Sequence, residues 1–145
     1  SFIRKYPEFN NQIIKQFVIS NSIAHPTVMF RRSLIEKYGL YNENYSRCED
    51  LELWLRFLSN KVNFYNIQKN LINYDMKTDN IIKIRDKKNY YYSLKARFIY
   101  GFKIFNFLDS LKSITIHSIL LIIPNFLLNI LNSKFFAKKI GYYEN

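Results

Sequence analysis

Two adjacent carboxylates, Glu49 and Asp50, are the side chains best placed in this sequence for acid–base chemistry. They open an apolar run, residues 51–58, that repeats at helical spacing and contains the only tryptophan, Trp54. A carboxylate at a helix start accepts amide hydrogens of the first turn, so Asp50 is predicted to cap this helix. A fixed, partly buried carboxylate is what a general base requires. From spacing alone, a plain capped core helix is the more economical interpretation.

Few other side chains offer a reactive or binding group. His25 could polarise a substrate or bind a metal, although a lone histidine before a proline is more typical of a turn or core residue. Arg31 could meet a phosphate, although a solvated surface arginine at a helix start explains it equally well. One cysteine and three glycines exclude an internal disulfide, a cysteine-cluster zinc site and a phosphate-cradling glycine loop.

The segments that carry these groups are predicted to be short strands and helices, which together give a helix-rich α+β fold. Helices are expected at residues 10–18, at residues 33–38 before the stop at Gly39, and over the Trp54 run. A short buried strand is expected at residues 27–30, and two further strands at residues 62–67 and 71–74. Within the Trp54 helix, Glu52 and Arg56 are four residues apart and are predicted to form an ion pair.

From residue 83 onward the sequence becomes basic and aromatic, so we divide the chain into residues 1–82 and a helical tail of residues 83–145. A helix is predicted from about Asp86 to Leu108. Residues 114–131 are almost continuously apolar but contain polar breaks, and a membrane span requires about 20 apolar residues.

For residues 114–131 we favour an amphipathic helical pair that is kinked at Pro124 and lies in the plane of a membrane. Lys134, Lys138 and Lys139 would then face anionic lipid head groups. A true span and a purely structural helix that covers the core are the alternatives.

The net charge of +11 indicates an anionic neighbour, which is a membrane surface, a nucleotide phosphate or a nucleic acid. The basic aromatic residues 83–107 could stack the bases of single-stranded nucleic acid, but they fit one face of an amphipathic helix equally well, and no ribonucleoprotein-type, zinc-finger or helix-turn-helix pattern accompanies them. A non-catalytic basic module that binds membrane or nucleic acid is therefore the alternative function. The first residues have no signal-peptide layout and do not begin with Met, which predicts a fragment.

The order of these pieces resembles the C-terminal half of family 2 glycosyltransferases of the GT-A fold, especially bacterial enzymes that build exopolysaccharide, capsule or lipopolysaccharide. The resemblance covers about residues 4–80. It rests on His-Pro-Thr-Val-Met-Phe-Arg-Arg at 25–32, Tyr-Gly-Leu-Tyr at 38–41, Glu-Asp-Leu-Glu-Leu-Trp-Leu-Arg at 49–56, Asn-Ile at 66–67 and Leu-Ile-Asn-Tyr at 71–74. It implies that residues 1–82 are the acceptor-side part of a GT-A α/β/α fold.

The resemblance also implies a reaction, which is the inverting transfer of a sugar from a nucleoside-diphosphate donor to a hydroxyl of a glycan or lipid-linked acceptor. Asp50 would be the base, Glu49 would orient the acceptor, and Trp54 would support both by packing. His25 and Arg31 would contact substrate. Lys77 replaces the histidine of a Tyr-Arg-any-His motif, so it either neutralises the leaving diphosphate or marks a lost contact.

Mg²⁺ or Mn²⁺ is expected in the complete enzyme, because such a metal offsets the charge of the diphosphate. The family's nucleotide-binding half and its Asp-any-Asp metal motif are not found in this sequence, so we expect no metal ligands here and no activity from this chain alone. The resemblance implies a cytoplasmic enzyme on the inner face of the cell membrane, with no nucleic-acid partner.

Overall fold

A computed structural model describes residues 2–73, 87–124, 127 and 142–144. Its α-helices are α1 (Asn10–Phe17), α2 (Arg32–Tyr38), α3 (Glu49–Ser59), α4 (Lys87–Ile104) and α5 (Phe107–Ile122), and His25–Thr27 forms one turn of 3-10 helix. Two strands of three residues, β1 (Phe2–Arg4) and β2 (Tyr142–Glu144), pair antiparallel. Helices therefore dominate the described part of the chain.

The prediction of an α+β fold with short strands, as part of a GT-A α/β/α fold, is wrong for this structure. Apart from the β1 and β2 pair, the described residues form helices, turns and irregular segments. Residues 62–67 are not assigned as a strand, and neither are residues 71–73. Tyr74, the last residue of the second predicted strand, lies outside the described residues.

Residues 62–67 lie beside the irregular segment that precedes α1. One backbone bond joins Asn66 N to Glu8 O at 3.0 Å. The other contacts use side chains: the Phe64 amide donates to Asn10 Oδ1 at 2.9 Å, and Asn66 Nδ2 donates to Pro7 O at 2.7 Å. A sheet needs a repeated backbone ladder, and these asparagine bonds replace it.

The predicted buried strand at residues 27–30 is also wrong. Pro26 lies in the 3-10 turn His25–Thr27, and the Thr27 hydroxyl donates to Ala24 O at 2.9 Å. The following Met29 is 94% exposed. Proline fixes a φ angle that suits such a turn, and β-favouring residues form a strand only where a partner strand is present.

The helices predicted near residues 10, 33 and 50 are confirmed to within one or two residues at their ends. The predicted helix from Asp86 to Leu108 is instead two helices. The break lies at Asn106, whose side-chain oxygen accepts the Asp109 amide hydrogen at 2.8 Å and so caps α5. Asparagine is among the strongest N-cap residues, which explains why a new helix starts there.

Helix α3 lies at the centre of the hydrophobic core. Its side chains Leu53, Trp54, Leu55 and Phe57 are fully buried. Helix α4 packs against α3, and α5 packs against α4. Burying one such side chain stabilises a fold by roughly 1.5–3 kcal/mol, so this helix is held firmly in place.

A buried arginine, Arg97 of α4, links α1 to α5. Its guanidinium donates to Phe17 O at the end of α1 and, at 3.4 Å, to the Ser113 hydroxyl of α5. Burial lowers the pKa of Arg97 to about 9. His117 Nδ1 of α5 donates to Ser113 O at 2.8 Å, and burial lowers the pKa of His117 to about 3.

No helix among the described residues is long and apolar enough to cross a bilayer. Helix α5 ends at Ile122, two residues before Pro124. Residues 125, 126 and 128–131 lie outside the described part, as do Lys134, Lys138 and Lys139. The predicted helical pair, like the domain boundary after residue 82, therefore stays a prediction.

Candidate active site

The start of α3 differs from the prediction that Asp50 caps it. Cys48 is the N-cap residue and has a left-handed backbone (φ 58°), and its carbonyl accepts the Glu52 amide hydrogen at 3.0 Å. Glu49 is therefore the first helical residue and Asp50 the second. Both acids still lie in the first turn, where unpaired amide hydrogens and the helix dipole favour negative charge.

The Asp50 carboxylate is half-buried and has a defined partner. Asn21 Nδ2 donates to Asp50 Oδ2 at 3.0 Å. Burial, together with the charge of Glu49, raises the pKa of Asp50, and the opposing effects of the Leu51 amide, His25 and Asn21 are smaller. Glu49 itself is exposed. A carboxylate with a raised pKa is a stronger base than a free aspartate.

His25 and Tyr41 form a second polar pair beside the acids. The Tyr41 hydroxyl lies 2.9 Å from His25 Nε2, and the two ring centroids are 5.8 Å apart. The His25 ring also lies edge-on to the fully buried Trp54 ring, at 6.0 Å. The Trp54 ring thus packs against the His25 ring.

The charges of the two acids also act on the Tyr41 hydroxyl. Burial, followed by the charges of Asp50 and then Glu49, raises the pKa of Tyr41, so its hydroxyl stays protonated at neutral pH. The charge of His25 in turn acts on Asp50. The group therefore combines one half-buried carboxylate with an amide, an imidazole and a phenol that can bind the hydroxyls of a polar ligand.

The adjacent Cys48 thiol is not a nucleophile. Its Sγ donates to the Asn89 carbonyl of α4 at 3.3 Å. Burial, with the charges of Asp50 and Glu49, raises the pKa of Cys48 to about 12. Since only the thiolate is reactive, this residue serves the fold rather than the chemistry.

The ion pair predicted between Glu52 and Arg56 is confirmed, and it lies beneath the site. Arg56 Nε donates to Glu52 Oε1 at 3.1 Å, and Arg56 Nη2 donates to Glu52 Oε2 at 3.0 Å. The Tyr100 hydroxyl of α4 donates to Glu52 Oε1 at 2.7 Å. Glu52 is fully buried, and each of its oxygens is hydrogen-bonded.

Arg56 also fixes the loop that carries Tyr41. Its guanidinium donates to Tyr38 O at the end of α2 and, at 2.6 Å, to Leu40 O. Gly39, between these carbonyls, has φ +88°, and a Cβ there would lie 3.0 Å from Arg56 Nη1. The loop can thus approach the guanidinium closely because residue 39 has no side chain.

Of the residues predicted from sequence, the structure brings together Glu49, Asp50, His25 and Trp54, but it tests no role for them. Arg31 is an exposed N-cap residue of α2, and the described ion pairs do not join it to either acid. Lys77 lies outside the described residues.

Sequence reasoning missed Asn21 and Tyr41 as members of the group. Tyr41 belongs to the Tyr-Gly-Leu-Tyr segment and could have been nominated from it. Asn21 had no such signal, because its bond to Asp50 joins residues 29 positions apart.

The described residues do not fit the expected Mg²⁺ or Mn²⁺. Within the part of the chain that the structure describes, no three His, Cys, Asp or Glu side chains form a group that could hold a metal ion. Asp50 accepts from the Asn21 amide and is near only one other carboxylate of this group, that of Glu49, whereas these metals prefer several oxygen ligands that include carboxylates and water. The metal of a complete enzyme stays a prediction.

Comparison with known proteins found two similar chains, while no protein-family model and no solved structure matches. An uncharacterised glycosyltransferase of Methanocaldococcus jannaschii is 27% identical over 132 aligned positions, which cover 83% of this chain and 43% of that relative. The O-antigen biosynthesis glycosyltransferase WbnJ of Escherichia coli is 38% identical over 72 positions, which cover 48% of this chain and 28% of WbnJ.

The chain is similar to glycosyltransferases. This similarity supports the relationship expected from the sequence motifs. The chain spans less than half the length of either relative. Assignment to family 2 and to its C-terminal half stays a prediction.

Proposed function

We propose that this chain is the acceptor-side part of an inverting glycosyltransferase of the family 2 type. It would move a sugar from a nucleoside-diphosphate donor to a hydroxyl of a glycan or lipid-linked acceptor during synthesis of a surface polysaccharide. The observation that carries the proposal is the half-buried Asp50 carboxylate, held by Asn21 at the start of a buried helix. Similarity to two glycosyltransferases, one of them named for O-antigen biosynthesis, supports it.

In the proposed reaction, Asp50 takes the proton of the acceptor hydroxyl on Oδ1 while Asn21 holds Oδ2. The hydroxyl oxygen then forms a bond to the anomeric carbon of the donor sugar. The bond to the nucleoside diphosphate breaks on the opposite face, and its electron pair leaves with the diphosphate. A hydroxyl is a weak nucleophile, so a base within hydrogen-bond reach is needed as the new bond forms.

The neighbours of Asp50 would bind the substrates. Glu49 is exposed beside Asp50 and would orient the acceptor by accepting a hydrogen bond from a second hydroxyl. The paired His25 and Tyr41 side chains would contact the same ligand. We assign Arg31 and Lys77 to the anionic donor, and we expect sugar transfer to need a donor-binding segment that this chain does not supply.

An apolar surface on α4 and α5 would dock the enzyme on the inner face of the cell membrane, where lipid-linked acceptors lie. By the α4–α5 surface we mean the exposed side chains Phe98, Phe102, Phe107, Leu108 and Ile122 of these two helices, among which the Phe102 and Phe107 rings contact each other. Exposed lysines accompany it at positions 88, 103 and 112. Apolar side chains that enter a bilayer, together with lysines that attract anionic lipid, give peripheral binding.

Substitution of Asp50 tests the proposed function. Asp50→Asn keeps the shape of the side chain but removes the base, so kcat for sugar transfer should fall by about 10² to 10⁴-fold. Transfer of a labelled sugar from a nucleotide donor is measured in the product of the complete gene. Glu36→Gln, which removes an exposed carboxylate paired with Arg32, should leave transfer unchanged. Transfer that survives Asp50→Asn contradicts the assignment.

A further inference from the structure

We infer that Asn21 is a positioning residue, whose side-chain amide holds the Asp50 carboxylate in the orientation needed to accept a proton. The inference rests on the base role proposed for Asp50 and adds a residue from a segment 29 positions earlier in the chain. Asn21 would not touch the reacting atoms, because it would act through Asp50.

The direction of the Asn21 amide is fixed by the backbone. The Ile23 amide donates to Asn21 Oδ1 at 3.2 Å, which leaves Nδ2 to donate to Asp50 Oδ2 at 3.0 Å. One end of an asparagine amide only accepts and the other only donates. The bond from Ile23 therefore determines which end faces Asp50.

The segment around Asn21 is held in place independently of α3. The Asn21 carbonyl accepts from Arg4 Nη2 at 3.2 Å. The next residue, Ser22, is fully buried, and its hydroxyl donates to Ile13 O of α1 at 3.2 Å. The Ser22 carbonyl accepts from Asn66 Nδ2 at 3.0 Å. A donor fixed in this way is preorganised, so it orients its partner rather than following it.

A neutral donor suits a carboxylate that must act as a base. A cation in the place of Asn21 would form a hydrogen bond about twice as strong to Asp50 and would make the carboxylate less basic. The amide instead fixes one oxygen and adds no charge. The titratable groups that act on Asp50, or on which Asp50 acts, are Glu49 and Cys48 at the start of its own helix, His25 of the 3-10 turn and Tyr41 of the loop after α2.

The test measures the titration of Asp50 directly in the 145-residue chain, through the ¹³C resonance of its carboxyl carbon assigned with Asp50→Asn. Asn21→Ala removes the donor that favours the charged carboxylate, so the pKa of Asp50 should rise. Asn21→Asp retains the acceptor for Ile23 but replaces the donor with a like charge, so the pKa should rise further. The matched control is Asn63→Ala, which removes another 3.0 Å amide bond, to Asn10, and should leave Asp50 unchanged.

The unsubstituted chain supplies a measurement that does not depend on whether the variants fold. The side-chain ¹⁵N and ¹H resonances of Asn21 should move with the same midpoint as the Asp50 carbon. Asn21 resonances that do not respond to the Asp50 titration, or an Asp50 pKa equal in the chain and in both folded variants, would overturn the inference.

Kinetics separate a positioning role from a structural one. In the product of the complete gene, Asn21→Ala should move the acidic limb of the kcat profile to higher pH by the same shift as the NMR titration. A purely structural effect would lower kcat without moving the limb, and that result counts against the inference. A further outcome is that the Asn21 resonances follow the titration of Asp50 in a protein that transfers no sugar. In that case the proposed function fails, while the coupling between the two residues stands.

Discussion

At the scale of single residues, Asp50 combines a helix start, which favours its charge, with burial, which opposes it. Burial is the larger effect and raises the pKa of Asp50 above the ordinary value of 3.8. A carboxyl whose pKa is raised by folding stabilises the fold most when it is protonated. This contribution is fully present below the unfolded pKa and is lost as the pH rises through the folded pKa.

Asp50→Asn should therefore make the chain more stable at pH 7, because the amide needs no ionisation in the buried position. The advantage should shrink as the pH falls. It should vanish below pH about 4, where Asp50 is protonated in the folded chain and in the unfolded chain alike. Urea unfolding of the two chains between pH 3 and pH 7 measures it. Glu36→Gln on the exposed face of α2 is the control for lost charge. A less stable Asp50→Asn chain at pH 7 would contradict the prediction.

Residue by residue, the sequence identifies the acids but not their setting. Glu49 and Asp50 can be found because an acid pair precedes an apolar helix. Their exact places in the helix could not be predicted, since the left-handed backbone of Cys48 leaves no trace in the pattern. Asn21 could not be predicted either, because a single amide bond between distant segments depends on tertiary packing.

At the scale of secondary-structure elements, periodicity predicts helices because a helix makes its hydrogen bonds within one segment. Helices α1 and α3 were predictable for this reason. Strands depend on a partner elsewhere in the chain, and residues 62–67 have the composition of a strand without its ladder. The hydrogen bond that the Asn10 side chain accepts and the one that the Asn66 side chain donates take the place of that ladder.

Two Arg–Glu pairs in the described part of the chain should differ sharply in their effect on stability. Arg56→Ala leaves the fully buried Glu52 without its cation, and breaking such a pair should lower the free energy of unfolding by about 3 to 5 kcal/mol. Arg32→Ala breaks the exposed pair with Glu36 at the same spacing and should change little. Chemical unfolding of both variants makes the comparison. Equal losses of unfolding free energy in Arg56→Ala and Arg32→Ala would show that burial of the pair does not set its contribution to stability.

Two glycines should respond in opposite directions to the same substitution. Gly39→Ala places a side chain at φ +88° and within 3.0 Å of Arg56, so it should destabilise the chain by about 1 to 2 kcal/mol. Gly101→Ala lies within α4, where the new methyl would make an ordinary contact of 3.7 Å with Phe105, so it should stabilise by about 0.5 to 1 kcal/mol. Thermal unfolding measures both. A stabilising Gly39→Ala would contradict the close approach of the loop.

At the scale of the whole molecule, the proposed membrane docking would combine the charge of +11 with the α4–α5 surface. Cosedimentation with vesicles should be strong for anionic lipid and weak for zwitterionic lipid, and it should fall with added salt. Leu108→Ser removes a side chain that is 76% exposed on that surface and should weaken binding severalfold. Leu40→Ser, at 70% exposure in the loop after α2, is the matched control and should bind like the unsubstituted chain. Equal binding by Leu108→Ser would contradict the proposed docking surface.

The partly buried thiol of Cys48 offers a way to observe the molecule in motion. With a pKa of about 12 and a bond to Asn89 of α4, the thiol is almost wholly protonated and hydrogen-bonded in the native chain. A thiol reagent can modify it at an appreciable rate only when the contact between the start of α3 and α4 opens. Because the chain has one cysteine, the modification rate of the unaltered protein reports the frequency of that opening, beside the proposed base.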